Sequence, residues 1–163
     1  MEYVTLTKTD GEFDSYLRGT FSRSMRALPV ETFHPHTSRE RVTFGLVSVD
    51  QLNAPAWWRV YFLSARPELF ILTLGPAVAV WLNHKDSFSE WSRWPSWLAL
   101  AGLVFLHTAM FLLNDVRDHI FGVDRSNRRR GSRVIQNGWV TAQSMQRWAW
   151  LNFALALLFG LPA

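Results

Sequence analysis

The stretch WLALAGLVFLHTAMFLLNDVRD, residues 97–118, joins a long apolar segment directly to a cluster of oxygen-bearing side chains. Its first part, Trp97 to Leu113, contains no Asp, Glu, Lys or Arg and is close in length to a helix that crosses a lipid bilayer. Acidic side chains at the end of such a helix are costly unless something compensates them, and a divalent cation holding a phosphorylated ligand would do so. We therefore take residues 97–118 as a membrane-length helix that ends in a candidate metal site.

Three side chains of the cluster follow one another at helical spacing. On a helix, Asn114 and Asp118 are four residues apart and Asp115 and Asp118 are three apart, so all three lie on one face. Carboxylate and amide oxygens suit Mg²⁺, which keeps several waters and shares the phosphates of a substrate. Gly122 can end the helix and let Asp124 turn back toward the cluster. The sequence thus predicts a Mg²⁺ site on Asn114, Asp115 and Asp118, with Asp124 nearby.

The loop after the cluster is rich in arginine, and no acidic residue follows Asp124. Its basic residues are Arg117, Arg125, Arg128, Arg129, Arg130 and Arg133. In membrane proteins, loops of this kind tend to face the cytosol. The arginines could complete an anion site beside the metal, or they could form salt bridges with the aspartates in a solvated surface loop. The residues by themselves leave both interpretations open.

The composition favours a membrane-associated protein with an anionic partner. Nine Trp and twelve Phe among 163 residues fit an aromatic belt at a lipid interface better than an ordinary soluble core. The net charge of +4 comes from fifteen Arg and two Lys, and such an excess suggests nucleic acid, anionic lipid or a phosphorylated substrate. The neighbouring apolar segments favour the last two, so we expect no nucleic-acid partner. Because Cys is absent, a disulfide framework and a thiolate metal site are excluded.

Two further apolar segments flank the central helix. Residues 60–82 follow a Trp-rich stretch and predict a first span that is kinked near Pro76. A third apolar run covers residues 148–162. We therefore predict an all-α, polytopic transmembrane protein with about three spans, near residues 60–82, 97–113 and 148–162.

The first 56 residues differ from the rest, because polar and apolar residues alternate there without a long apolar segment. They lack the charged start and adjoining apolar core of a cleaved signal peptide. We predict two parts: residues 1–56 form a cytosolic, partly disordered extension, and residues 57–163 form the membrane domain. Two spans separate the extension from the arginine-rich loop, so both are expected on the cytosolic side.

A longer motif runs from residue 114 to residue 141. It comprises Asn114, Asp115, Asp118, Asp124, Asn127, Arg130, Gly131, Ser132, Arg133, Gln136, Gly138 and Thr141. This motif resembles the first aspartate-rich motif of the UbiA-type intramembrane aromatic prenyltransferases. Arg66-Pro67 and Pro76 are similar to the first helix of that family. The likeness covers residues 57–163 and is closer to the branch that prenylates 1,4-dihydroxy-2-naphthoate than to the hydroxybenzoate branch.

The resemblance implies a Mg²⁺-dependent enzyme of the bacterial inner membrane. Such an enzyme transfers a prenyl group from an isoprenyl diphosphate to an aromatic acceptor of the naphthoate or benzoate type, in quinone biosynthesis. On this reading, the metal ligands are Asn114, Asp115, Asp118 and Asp124. The diphosphate ligands are Arg128, Arg130 and Arg133. No residue is assigned as a catalytic acid or base.

The chain also departs from that family, whose members have nine transmembrane helices and a second aspartate-rich motif. With about three spans, it resembles the first third of such a bundle. We therefore expect a truncated prenyltransferase domain that is inactive alone, unless a second polypeptide carries the missing half. The alternative is a small non-catalytic membrane protein whose loop from Arg125 to Arg133 binds anionic lipid.

Overall fold

The computed structural model describes residues 2–84, 90–123 and 132–161. The N-terminal part contains three strands and one short helix: β1 (Glu2–Thr7), α1 (Phe13–Arg18), β2 (Met25–Phe33) and β3 (Arg41–Ser48). In the described residues after it, four α-helices follow: α2 (Trp57–Ala65), α3 (Phe70–His84), α4 (Glu90–Phe121) and α5 (Ala142–Gly160).

The N-terminal strands form one antiparallel sheet in the order β1-β3-β2. The middle strand, β3, alternates between its two faces, and Val42 and Phe44 are completely buried. Helix α1 covers this buried face with Phe13 and Leu17, and the rings of Phe13 and Phe44 meet edge to face at 6.3 Å. The sheet and α1 thus enclose a small apolar core of their own.

The prediction of an all-α, three-span fold was wrong on two counts. Strands β1 and β2 pair with β3, which makes the fold mixed α/β; this pairing is a tertiary contact that the local sequence pattern of each edge strand did not reveal. In addition, only two helical stretches of the described residues, Trp57–Asn83 and Trp94–Phe121, are long and apolar enough to cross a membrane. Helix α5 is not among them, because Gln143, Gln146 and Arg147 make its first turns polar.

The first of these two stretches is divided into two helices. Helix α2 ends at Arg66, whose backbone is left-handed with φ 50° and ψ 62°, and a 3-10 turn at Pro67–Leu69 leads into α3. The residue before a proline is disfavoured in the right-handed helical region, which explains the break at Arg66. Pro76 lies inside α3, which continues past it to His84. The break turns the Arg66 side chain toward α4.

Small residues let α4 and α5 pack closely. A Cβ on Gly102 would lie 3.0 Å from both the Cα and the backbone nitrogen of Gly160. Further along the contact, Ala109 and Ala149 are completely buried. Backbones that approach this closely gain van der Waals contact, the main attraction between helices in a lipid environment. The helix that carries the candidate site, α4, therefore packs closely against α5.

Most apolar side chains of the two membrane-length stretches face outward. Only 11% of the first stretch and 28% of the second are buried within the chain, whereas the core helix of a soluble protein is mostly buried. Ile71 and Leu72 on α3 and Trp94 on α4 are among the exposed side chains. Apolar surface of this extent is typical of proteins that contact lipid or another apolar partner.

The close contact at Gly102 can be tested with a pair of matched substitutions. Alanine at Gly102 would press on the backbone of α5, and overpacking of this kind costs about 1–3 kcal/mol, more than the roughly 0.5–1 kcal/mol gained from helix propensity. Alanine at Gly75 would meet only Ile71 Cδ1 at 3.8 Å. We expect thermal unfolding in detergent to show a lower Tm for Gly102→Ala and an unchanged or higher Tm for Gly75→Ala. Equal shifts would contradict the close packing of α4 on α5.

Candidate metal and diphosphate site

Helix α4 carries the predicted cluster near its C-terminal end but divides it between two environments. Asn114 is exposed and Asp118 is half-buried, whereas Asp115 is only 3% exposed. This division follows from helix geometry, because residues four apart share a face and the residue next to the first of them is rotated by about 100°. The sequence predicted that all three lie on one helical face; in the structure, Asn114 and Asp118 share one environment and Asp115 lies in another.

Asp115 is held by donors on both of its carboxylate oxygens. Nη2 of Arg66 donates to Oδ1 at 2.5 Å, in an ion pair whose side chains are 19% and 4% exposed. The hydroxyl of Ser132 donates to Oδ2, and the Ser132 backbone nitrogen lies 3.4 Å from the same oxygen. The Arg66 guanidinium also lies over the ring of Phe111, 5.4 Å from its centroid. Asp115 thus joins the α2–α3 break, α4 and the segment that begins at Ser132.

Asn114 and Asp118 form a second, outward-facing pair. Nδ2 of Asn114 donates to Oδ2 of Asp118 at 3.0 Å. Within the described part of the chain, the amide oxygen of Asn114 and the other carboxylate oxygen of Asp118 make no hydrogen bond. One amide oxygen and one carboxylate oxygen on a single helical turn therefore have no hydrogen-bond partner among the described residues, and both are the kind of donor that Mg²⁺ prefers.

The donor set fits Mg²⁺ as a partial site. In residues 2–84, 90–123 and 132–161, no three His, Asp or Glu side chains come close enough together to hold a metal ion. Mg²⁺ is commonly bound through one or two protein oxygens, with waters and substrate phosphates completing its six positions. Arg66 neutralises Asp115, so the carboxylate of Asp118 is the negative charge left available on this turn. The end of α4 adds further negative potential from its free carbonyl groups.

The remaining predicted residues are only partly within the described structure. Asp124, Arg128 and Arg130 lie outside the described residues. Arg133 is exposed and has a left-handed backbone with φ 59°. It follows Ser132 directly, so the bond from Ser132 to Asp115 brings Arg133 to the same end of α4. The structure thus places Asn114 and Asp118 on the same helix as the anchored Asp115, and Arg133 next in the chain to Ser132, which is bonded to Asp115.

His107 on α4 makes a polar contact with α3 within the apolar segments. The ring of His107 lies between those of Phe70 and Phe111, and its Nδ1 is 2.6 Å from the hydroxyl of Thr73 on α3. Phe111 in turn lies against Arg66. His107 therefore acts in packing α3 against α4, two helical turns from Asn114.

Sequence reasoning identified the acidic residues but missed two of their partners, Arg66 and Ser132. The signal for Arg66 was present, because an arginine inside a largely apolar segment needs a carboxylate or a polar partner nearby. It was interpreted only as part of a helix start beside Pro67. Ser132 had no comparable signal, because its contact with Asp115 depends on how the chain returns to α4.

The anchoring role of Asp115 can be tested against Asp118. Asp115→Asn leaves the Arg66 charge buried without its counter-ion, and breaking a buried ion pair in this way costs about 3–5 kcal/mol. Asp118→Asn changes a half-buried side chain outside that pair, for which we expect a loss of less than about 1 kcal/mol. Denaturant unfolding of the two isosteric variants measures the difference. Similar losses in both would show that Asp115 is not the anchor.

Comparison with protein-family models, with curated proteins and with solved structures gives no significant match. The likeness of residues 114–141 to the prenyltransferase motif thus stays a prediction from the sequence. What the geometry contributes is the anchored Asp115 and the hydrogen-bonded pair of Asn114 and Asp118, with Arg133 next in the chain to Ser132.

Proposed function

We propose that this chain binds an isoprenyl diphosphate together with Mg²⁺ and takes part in transferring the prenyl group to an aromatic acceptor. One observation carries the proposal: Asn114, which is exposed, and Asp118, which is half-buried, form a hydrogen-bonded pair of oxygen-bearing side chains near the end of an apolar, membrane-length helix. A ligand with an anionic head and a long apolar tail matches both the pair and the helix.

In this proposal the residues of the cluster have different roles. Asn114 and Asp118 hold the metal, and Asp115 orients the turn through Arg66 and Ser132. Asp115 could join the metal only by releasing one of these donors. When bound, Mg²⁺ would supply the positive charge that stabilises the departing diphosphate. Asp124 remains a predicted further ligand.

The arginines would bind the diphosphate itself. A guanidinium offers two parallel donors to phosphate oxygens, so arginine suits this ligand better than lysine. Arg133 is exposed at the site and is the described candidate for this role. Arg128 and Arg130 remain predicted partners. Together they would offset the negative charge that develops as the allylic C–O bond breaks.

In this proposal the site lies at a membrane surface. Its apolar helices would lie in the bilayer, and its arginine-rich loop would face the cytosol, because such loops are retained on that side. The prenyl tail would then lie among apolar side chains that exclude water from the reacting carbon. Loss of the diphosphate would leave an allylic cation on the prenyl tail. An electron-rich naphthoate- or benzoate-type ring would attack that cation, forming a C–C bond in place of the broken C–O bond, and the attacked ring carbon would then release a proton to solvent.

The test is binding of farnesyl diphosphate to the full chain in lipid nanodiscs, measured by titration calorimetry with and without MgCl₂. We expect binding that requires Mg²⁺ and weakens by about tenfold or more in Asp118→Asn, because a charge-assisted contact to the metal is lost. Asp50→Asn is the matched control, since Asp50 is an exposed carboxylate outside the site. That variant is expected to bind as the unaltered chain does.

The contrary outcome points to the alternative of lipid binding. If the chain binds anionic liposomes in a salt-sensitive way, but neither Mg²⁺ nor Asp118→Asn changes any binding, the metal role is wrong. The arginine-rich loop would then act through its charge alone.

A further inference from the structure

A seam joins three parts of the molecule beside the candidate site. The first is the N-terminal unit, residues 2–52, which comprises the sheet and α1. The second is the last turn of α4, and the third is the return segment, residues 132–141, which leads into α5. The crevice between the three has a volume of only about 10 Å³ and is lined by Leu28, His119 and Val140 among others. The parts are therefore in close contact.

His119 links α4 to the N-terminal unit. It directly follows Asp118 in the chain, yet its side chain is only 2% exposed and points into the seam. Its Nε2–H donates to the carbonyl oxygen of Leu17 at 3.0 Å. Leu17 lies in the last turn of α1, where carbonyl groups have no partner within the helix. The contact thus satisfies a helix end that would otherwise be buried without a partner.

The return segment interlocks with the N-terminal unit through two glycines. Gly138 has φ 73°, and a Cβ there would lie 2.9 Å from Leu28 Cδ2 and 3.1 Å from Leu52 Cδ1. In the opposite direction, Gly19 has φ 70°, and a Cβ there would lie 2.8 Å from Thr141 Cγ2. Each part therefore contributes a left-handed glycine against which a side chain of the other part packs.

The return segment is fixed at both ends. At its start, Ser132 is bonded to Asp115, and at its end, Thr141 caps α5 by accepting a hydrogen bond from the Ser144 backbone nitrogen at 3.1 Å. Arg133 lies between these two fixed points. Any change in how the N-terminal unit holds Gly138 or Thr141 would therefore reach Arg133 and the Ser132–Asp115 bond.

We propose that the N-terminal unit is a clamp that positions the metal and diphosphate site, with His119 and Gly138 as its positioning residues. The proposal rests on the function proposed above for that site. His119 holds the turn of α4 that carries Asp118, and Gly138 holds the segment that carries Arg133. The clamp thereby keeps the distance between the metal-binding side chains and Arg133 constant. A diphosphate that contacts both the metal and Arg133 would require such a fixed distance.

The experiment compares three variants of the full chain with a matched control. His119→Phe removes the N–H donor but keeps a ring of similar size, whereas His119→Gln keeps a donor. Gly138→Ala changes the return segment itself, because its added methyl meets Leu28 of the N-terminal unit. Gly11→Ala is the control, since a Cβ at Gly11 meets nothing within 4 Å. Circular dichroism establishes at each step that the variants are folded.

Amide hydrogen exchange without ligand measures how firmly the N-terminal unit holds residues 132–141. His119→Phe and Gly138→Ala are each expected to speed exchange in residues 132–141 by about tenfold, the order expected when one buried hydrogen bond or close contact is lost. His119→Gln is expected to restore most of the protection, and Gly11→Ala to leave it unchanged. Unchanged exchange in both His119→Phe and Gly138→Ala would overturn the clamp.

The positioning role is measured by farnesyl diphosphate binding in the presence of Mg²⁺. We expect His119→Phe and Gly138→Ala each to weaken binding by about tenfold, and the double variant to be less affected than the product of the two, because both act through one segment. His119→Gln is expected to bind as the unaltered chain does. Faster exchange with unchanged affinity would make the clamp purely structural and overturn the positioning role.

The two proposals fail in different ways. If the unaltered chain does not bind farnesyl diphosphate with Mg²⁺, the proposed function is wrong, and the positioning role falls with it. The hydrogen exchange of residues 132–141 then still decides whether the N-terminal unit holds the return segment. If the unaltered chain binds but the two clamp variants bind equally well, only the clamp proposal is wrong.

Discussion

The buried ion pair between Arg66 and Asp115 is the interaction on which the arrangement around the site depends. The carboxylate of Asp115 is buried and most of the Arg66 side chain is buried with it, so each charge would be unfavourable without the other. Their pairing, with Ser132 on the second carboxylate oxygen, requires the α2–α3 break, α4 and the return segment to meet at one point. The left-handed backbone of Arg66 is part of this requirement, because it directs the guanidinium toward α4.

This ion pair also explains how one acidic cluster can stabilise the fold through Asp115 and still offer the carboxylate of Asp118 to a ligand. Asp115 is neutralised from within, which removes the repulsion that two neighbouring carboxylates would otherwise exert on each other. Asp118 and Asn114, one helical face away, keep oxygen atoms toward solvent. In the proposed function, Asp118 and Asn114 would therefore bind a divalent cation without breaking the contacts that Asp115 makes with Arg66 and Ser132.

The N-terminal unit is a part of the molecule that apolar helices do not need in order to lie in a membrane. Its sheet has a separate small core around Phe44, and it touches the helices through the seam at His119, Gly19 and Gly138. The contact at His119 lies at the same end of α4 as the acidic cluster. The molecule therefore combines helices with exposed apolar side chains and a small α/β unit that packs against the end of α4.

The sequence by itself determined the long apolar helix, its acidic end and the exposed arginine beside it. These are local properties, since the period of a helix and the position of charged residues can be read directly along residues 97–118. The sheet, the inward turn of Asp115 and the partnership with Arg66 and Ser132 were decided only in the tertiary structure. Arg66 is 49 residues from Asp115 and Ser132 is 17 residues from it, and the buried face of strand β3 is covered by α1, which lies earlier in the chain. Contacts between residues far apart in the chain depend on how whole elements meet, which no local pattern of residues encodes.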